Sequence, residues 1–187
     1  GSAKGFFEEK LLSVVMRRVP WLIGLLVVQA CAVMILSGFD ALLNSVIALA
    51  FFVPALTATG GNTGTQSAAM VIRAIATGDV SSADLRRLIL NALISGLILG
   101  AVLAVGGFVL ALVIVHDPLI GLCVGAGLGI VVLMSNLAGS ILPLALKSIG
   151  LDPAIMSGPF ISTVVDVVGL IIYLRISAAI LKHFNVW

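Results

Sequence analysis

The hydrophobic and polar positions fall into long apolar runs parted by short polar breaks. The runs are Trp21–Phe39, Leu42–Thr77, Leu88–Val115, Leu119–Leu146 and Ile155–Leu181. Each nears or exceeds the roughly 20 residues that an α-helix needs to cross hydrocarbon. Five membrane-spanning helices are therefore predicted. The second run is too long for one straight crossing, so it must tilt, break or extend beyond the bilayer. The breaks carry helix-start chemistry. Asp117-Pro118 and Asp152-Pro153 each set a capping carboxylate before a proline at the first helical position. Ser81-Ser82-Ala83-Asp84 has the form of a capping box ahead of the third crossing.

Two interruptions lie inside the runs. The first is PALTATGGNTGTQS at 54–67, in a region without charge from Ala41 to Val71. Pro54 removes a backbone donor, and Gly60-Gly61 weakens the helix. Loosened backbone at membrane depth is tolerated only where protein or a water-filled cavity takes up the freed groups. Asn62, Thr63, Thr65 and Gln66 supply donors and acceptors, so the expectation is a broken helix lining an aqueous path. A polar seam between helices is the structural alternative. A phosphate-cradling loop is disfavoured, because no lysine follows the glycines and no strand precedes them.

The second interruption is a carboxylate. Of the eight acidic residues, seven fall at predicted helix ends or loops. Asp166 does not. It sits about 15 Å into the last crossing, given the helical rise. A carboxylate there costs at least about 2.5 kcal/mol on the insertion scale and is a functional candidate. Arg175 is roughly 13 Å further along the same helix and cannot pair with it. Gly158, Ser162, Asp166, Gly169 and Tyr173 recur at spacings of three and four, so they share one small, polar face. An ion or proton site is expected there. A hydrogen-bonded packing aspartate is the alternative.

Composition agrees with a membrane. The chain is 61% hydrophobic and 10% charged, against about 25% charged in ordinary soluble domains. A net charge of +2 with no basic aromatic run gives no reason to expect nucleic acid. The two cysteines, Cys31 and Cys123, lie in apolar runs without ligand spacing and read as small buried hydrophobes. No paired intramembrane acids, Ser/His pair or zinc motif appears, and His116 and His183 lie at membrane ends, so an enzyme is not expected. Gly96, Gly100 and Ala104 form one row of small residues and Gly121, Gly125 and Gly129 another, which predicts close helix packing.

Charge also sets direction. With a cytoplasmic N-terminus, Lys4, Lys10, Arg17, Arg18, Arg73, Arg86, Arg87 and Lys147 lie inside. Lys182 lies outside, and Arg175 near the outer end can snorkel. The expected location is the inner or plasma membrane, with the C-terminus external. No internal duplication is visible, and five crossings make an inverted repeat awkward. A pathway on a symmetry axis would then need a homo-oligomer, most often a dimer. Gly1-Ser2 reads as a cloning scar, so a longer parent chain is expected.

PALTATGGNTGTQS followed by Arg73 and Gly78 closely resembles the membrane-domain signature of the MgtE magnesium channel/transporter family. Asp152-Pro153-Ala154, Ser157-Gly158-Pro159-Phe160, Thr163, Asp166, Gly169 and Tyr173 resemble that family's last transmembrane helix. Arg17-Arg18-Val19-Pro20-Trp21-Leu22 is similar to its approach to the first helix. The resemblance covers essentially the whole chain. It implies an all-α polytopic membrane protein, with five transmembrane helices per chain and a homodimer with a central pore lined by the second and fifth helices.

It further implies that Asp166 holds the transported Mg2+, one from each subunit, with a backbone carbonyl at Ser162 turned toward the hydrated ion. Asn62 matches the pore asparagine. The position two turns before Asp166, often polar in relatives, is Gly158 here. Gly60, Gly61, Asn62, Gly158 and Tyr173 are expected to line the path. Residues 1–20 are expected to hold the scar and the end of a cytoplasmic connecting helix, and 21–187 the ion-conducting domain. The implied partners are a second copy, the lipid bilayer, and cytoplasmic acidic and CBS regulatory domains of the parent chain. Hard oxygen donors without Cys or His favour magnesium over soft metals. Magnesium keeps several of its waters, so two carboxylates could grip it through them. A sodium- or proton-coupled divalent cation exchanger is the competing expectation.

Overall fold

A computed structural model describes residues 11–81, 84–150 and 158–187. The described residues form six helices and no strand. They are α1 (Leu11–Gly38), α2 (Asp40–Ser45), α3 (Ala48–Thr77), α4 (Leu85–Val115), α5 (Pro118–Ser148) and α6 (Gly158–His183). Four of them, α1, α4, α5 and α6, are long and apolar enough to cross a membrane. The 30-residue α3 has the length but is less apolar.

Two expectations about the second run are corrected. The run does break, but at Val46, where φ −136° and ψ 72° end α2 before α3 begins. The stretch 54–67 is not broken. It lies within continuous α3, Pro54 included. Propensity is a weak prior that tertiary contact overrides, and here the glycines make that contact. Pro54 costs only one backbone bond, near the start of α3. The first helix is already formed over residues 11–20, ahead of the apolar run that starts at Trp21.

The caps follow local chemistry. Asp117 Oδ1 accepts from the backbone N–H groups of Leu119 at 2.7 Å and Ile120 at 3.3 Å, with Pro118 beginning α5. Asp84 caps none of α4's own amides. Its carboxylate instead accepts from the backbone N–H of Ser81 at 2.9 Å and the Ser81 hydroxyl at 2.7 Å, which closes the turn before α4. These bonds hold the Asp84 carboxyl below the usual carboxylate range. Gly78 ends α3 in the left-handed region at φ 81°, where a side chain would be strained. Asp152-Pro153 lies outside the described residues.

α5 is the central element, with fifteen buried residues against none on α1. The two predicted small-residue rows meet. A Cβ on Gly100 would stand 2.6 Å from the Gly129 carbonyl oxygen, and one on Gly125 would stand 2.7 Å from that of Ala104. α3 runs alongside α5 just as closely, since a Cβ on Gly139 would meet the Gly64 carbonyl oxygen. Leu49, Phe52 and Leu56 of α3 then share a core with Val124, Val131 and Val132 of α5 and Leu170, Tyr173 and Leu174 of α6. Cys123 is buried in that core, whereas Cys31 is exposed on α1. Large apolar side chains such as Leu26, Val33, Ile98, Val102 and Val105 face outward, as a surface solvated by lipid tails would have them.

Candidate functional site

The helix α3 has two faces. Gly60, Gly64, Ser67, Ala68 and Val71 are buried against the rest of the chain, while Phe51, Ala55, Ala58, Asn62, Gln66, Ala69 and Arg73 are exposed along the other side. The spacing of three and four within each set is that of one helical stripe. Asn62 thus stands on the open face, next to the seam where α3 meets α6.

Three of the expected residues converge at that seam. A Cβ on Gly61 would lie 2.7 Å from Ser162 Oγ and 3.7 Å from Asp166 Oδ1. The bare backbone of Gly61 is what lets α6 bring Ser162 and Asp166 up against α3. Both Ser162 and Asp166 are half-buried, so each keeps part of its surface open. Two turns before Asp166, Gly158 is also half-buried, and a Cβ there would meet nothing within 4 Å. The site therefore has free volume at the level of Gly158 and an oxygen-bearing wall at Ser162 and Asp166. Among the described residues, no three His, Cys, Asp or Glu side chains gather as a metal shell.

Three expected path-lining residues are buried within the chain: Gly61 at the α3–α6 seam, and Gly60 and Tyr173 deeper in the core. Gly60 points inward, where a Cβ would meet Val131 Cγ1 at 2.8 Å and Val165 Cγ1 at 3.0 Å. Tyr173 is fully buried, its hydroxyl donating to the Leu49 carbonyl oxygen at 2.9 Å and its ring filling the space over Gly127. The stripe that contains Asp166 passes into the protein core within two turns, because α6 crosses over α5 there. Tyr173 and Gly60 hold α6 and α3 in place from within.

One buried group was not singled out from the sequence. Asn136 of α5 is 4% exposed. Its amide Nδ2 donates to the Ala92 carbonyl oxygen at 2.6 Å and to Ser95 Oγ at 2.9 Å on α4. Its Oδ1 accepts from Ser67 Oγ of α3 at 2.6 Å. A buried amide needs partners on both ends, and here they tie α3, α4 and α5 together. The signal was present: Asn136 is the one side-chain amide in the run Leu119–Leu146, and a lone polar group at that depth implies a partner.

Comparison with known proteins gives the family of the chain. The family model MgtE, described as a divalent cation transporter, matches residues 53–176, from the start of α3 to within α6. The chain is 43% identical to the magnesium transporter MgtE of Thermus thermophilus over 167 residues, covering 88% of this chain and 36% of that protein. It is 34% identical to the magnesium transporter MgtE of Enterococcus faecalis over 177 residues, covering 95% of this chain and 39% of the relative. It is 36% identical to the magnesium transporter MgtE of Bacillus subtilis over 173 residues, covering 92% and 38%. The chain thus spans well under half the length of these relatives. With about two thirds of its length matched by the family model, the chain belongs to the MgtE family of divalent cation transporters.

Proposed function

We propose that this chain forms the membrane-spanning part of a magnesium transporter. In this reading a hydrated Mg2+ passes between two copies and is held by Asp166 of each. The observation that carries it is the placement of Asp166. It is the one acidic side chain within the α6 helix, half-buried beside Gly61 and Ser162, with open space one level below at Gly158. A single carboxylate is a poor shell for a dication. A second copy across a two-fold axis supplies the other negative charge, and magnesium's own waters supply the contacts, since it sheds them reluctantly. The open stripe of α3, with Asn62 nearest the site, lines the approach.

Membership of a divalent cation transporter family supports this class of cargo, as do relatives named magnesium transporters. The positive-inside bias supports a cytoplasmic N-terminus and an external C-terminus in the inner or plasma membrane. Regulatory domains of a longer parent would join at the N-terminal side, ahead of α1.

The test is Asp166→Asn, which keeps size and hydrogen bonding but removes charge. If Asp166 holds the ion, added magnesium should raise the thermal stability of the wild type, since a ligand of the folded state stabilises it. The variant should be as stable without metal, gain nothing from added magnesium, and lose magnesium flux into liposomes. Undiminished stabilisation and flux in the variant would make Asp166 a packing residue. Flux by the wild type in sodium-free, proton-clamped liposomes supports a channel, and a requirement for either ion replaces it with a coupled exchanger.

A further inference from the structure

We propose that the crevice between α1, α2 and α6, at the end of the bundle opposite the N-terminus, binds an anionic phospholipid, with Arg175 gripping its phosphate diester. The crevice has a volume of about 480 Å³, and its walls include Ile35, Phe39, Leu42, Ile171, Arg175 and Trp187. Its chemistry is divided. One side is apolar, as the glycerol and upper acyl chain of a lipid require. The other carries a single cation.

The setting of that cation points to its ligand. Arg175 Cζ stands 5.7 Å from the centre of the Phe39 ring. Stacking of this kind occupies a face of the guanidinium and leaves its in-plane N–H donors free. Asp40, the neighbouring acid, forms no ion pair with it among the described residues. The donors form a planar fork that matches two oxygens of a phosphate. Depth agrees as well. α1 ends at Gly38 and α2 begins at Asp40, so the chain leaves the hydrocarbon at the level of Phe39. Arg175 is therefore at headgroup height, where tryptophans such as Trp187 also settle.

The crevice is separate from the proposed ion site. Arg175 follows Asp166 by nine residues, which at 3.6 residues per turn puts it on the opposite side of α6. The proposal does not depend on the transport reading. A lipid seated there would wedge the end of α1 against α6, the helix that carries Asp166.

The test is binding of lipid to the purified full chain, followed by native mass spectrometry. The probes are phosphatidylglycerol and phosphatidylcholine. The wild type should retain one phosphatidylglycerol per chain in preference to phosphatidylcholine, whose own cation competes for its phosphate. Arg175→Gln should weaken that binding about tenfold or more, as loss of a charge-assisted hydrogen bond would. Lys182→Gln, which removes a cation outside the crevice, should leave it unchanged. Inorganic phosphate should not displace the lipid. Equal binding by Arg175→Gln, equal loss in Lys182→Gln, or displacement by inorganic phosphate would each overturn the proposal.

A second measurement avoids altering the arginine. In a Trp21→Phe background, brominated phosphatidylglycerol should quench Trp187 more than brominated phosphatidylcholine. Equal quenching by the two would also overturn the proposal, whether or not Arg175→Gln folds.

Discussion

Adding one methyl group at Gly139 should pry apart the two helices that position the site. A Cβ on Gly139 would run into the Gly64 carbonyl oxygen, and would stand 2.9 Å from its carbonyl carbon and 3.0 Å from its Cα. All three atoms are backbone, so no side chain can swing away. Real Cβ contacts do not fall below 3.0 Å, so α3 and α5 must part to admit the methyl group. Overpacking of this kind costs about 2 kcal/mol. The Ser67–Asn136 hydrogen bond, now 2.6 Å, lies on the same helix pair and lengthens toward the limit of a hydrogen bond. Its loss adds about 1 kcal/mol, for a total of about 3 kcal/mol.

The comparison variant is Gly106→Ala, where a Cβ meets nothing within 4 Å. That change should be neutral or slightly stabilising, because Ala favours a helix over Gly. Equilibrium unfolding of both variants in the same mixed micelles measures the difference. Gly139→Ala should also reduce magnesium flux, since α3 carries Gly61 and Asn62. Equal stability of the two variants would mean that α3 and α5 are not in backbone contact, and the reasoning about the site would fall with it.

Three further outcomes are expected. At Gly61 the obstacle is the end of a side chain, Ser162 Oγ at 2.7 Å, so Gly61→Ala should fold with little loss while Gly61→Val blocks flux; normal flux in the valine variant would make this seam mere packing. The folded-state Asp84 carboxyl is held below its ordinary value of 3.8 by Ser81. Its contribution to stability is therefore full above about pH 4 and lost as pH falls through the lower folded value; Asp84→Asn should flatten this part of the pH–stability curve, and an unchanged curve would refute the link. A cysteine at Asn185 should react with an impermeant thiol reagent outside intact cells and one at Asp79 should not, in a background lacking Cys31 and Cys123; the reverse pattern would invert the proposed topology.

What could be read from the sequence was what depends on neighbours along the chain. Asp117-Pro118 caps α5 because the carboxylate reaches amides two and three residues on. The two glycine rows announced the α4–α5 seam, since only close backbones need such rows. The unbroken course of α3 was hidden because Gly60, Gly61 and Gly64 destabilise an isolated helix yet here face α5 and α6 directly. Their packing outweighs their propensity. Tyr173 was misplaced for a related reason. Helical spacing assigns it to the side of Asp166, but which part of a stripe is covered depends on how α6 crosses α5. Asn136 carried its signal as a lone amide, but its partners Ser67 and Ala92 are 69 and 44 residues away. No local pattern names them.

The modest hydropathy of α3 bears on how the chain is made. A helix that enters lipid on its own needs a long, mainly apolar stretch, and four of the long helices have one while α3 does not. The groups that cover its glycines and Ser67 belong to α5 and α6, which leave the ribosome after it. At the moment of its synthesis α3 therefore has little to shield its polar side. Its passage from the insertion machinery into the bilayer should wait for those later helices, so that the second half of the chain acts as an internal chaperone for the segment that borders the proposed ion site.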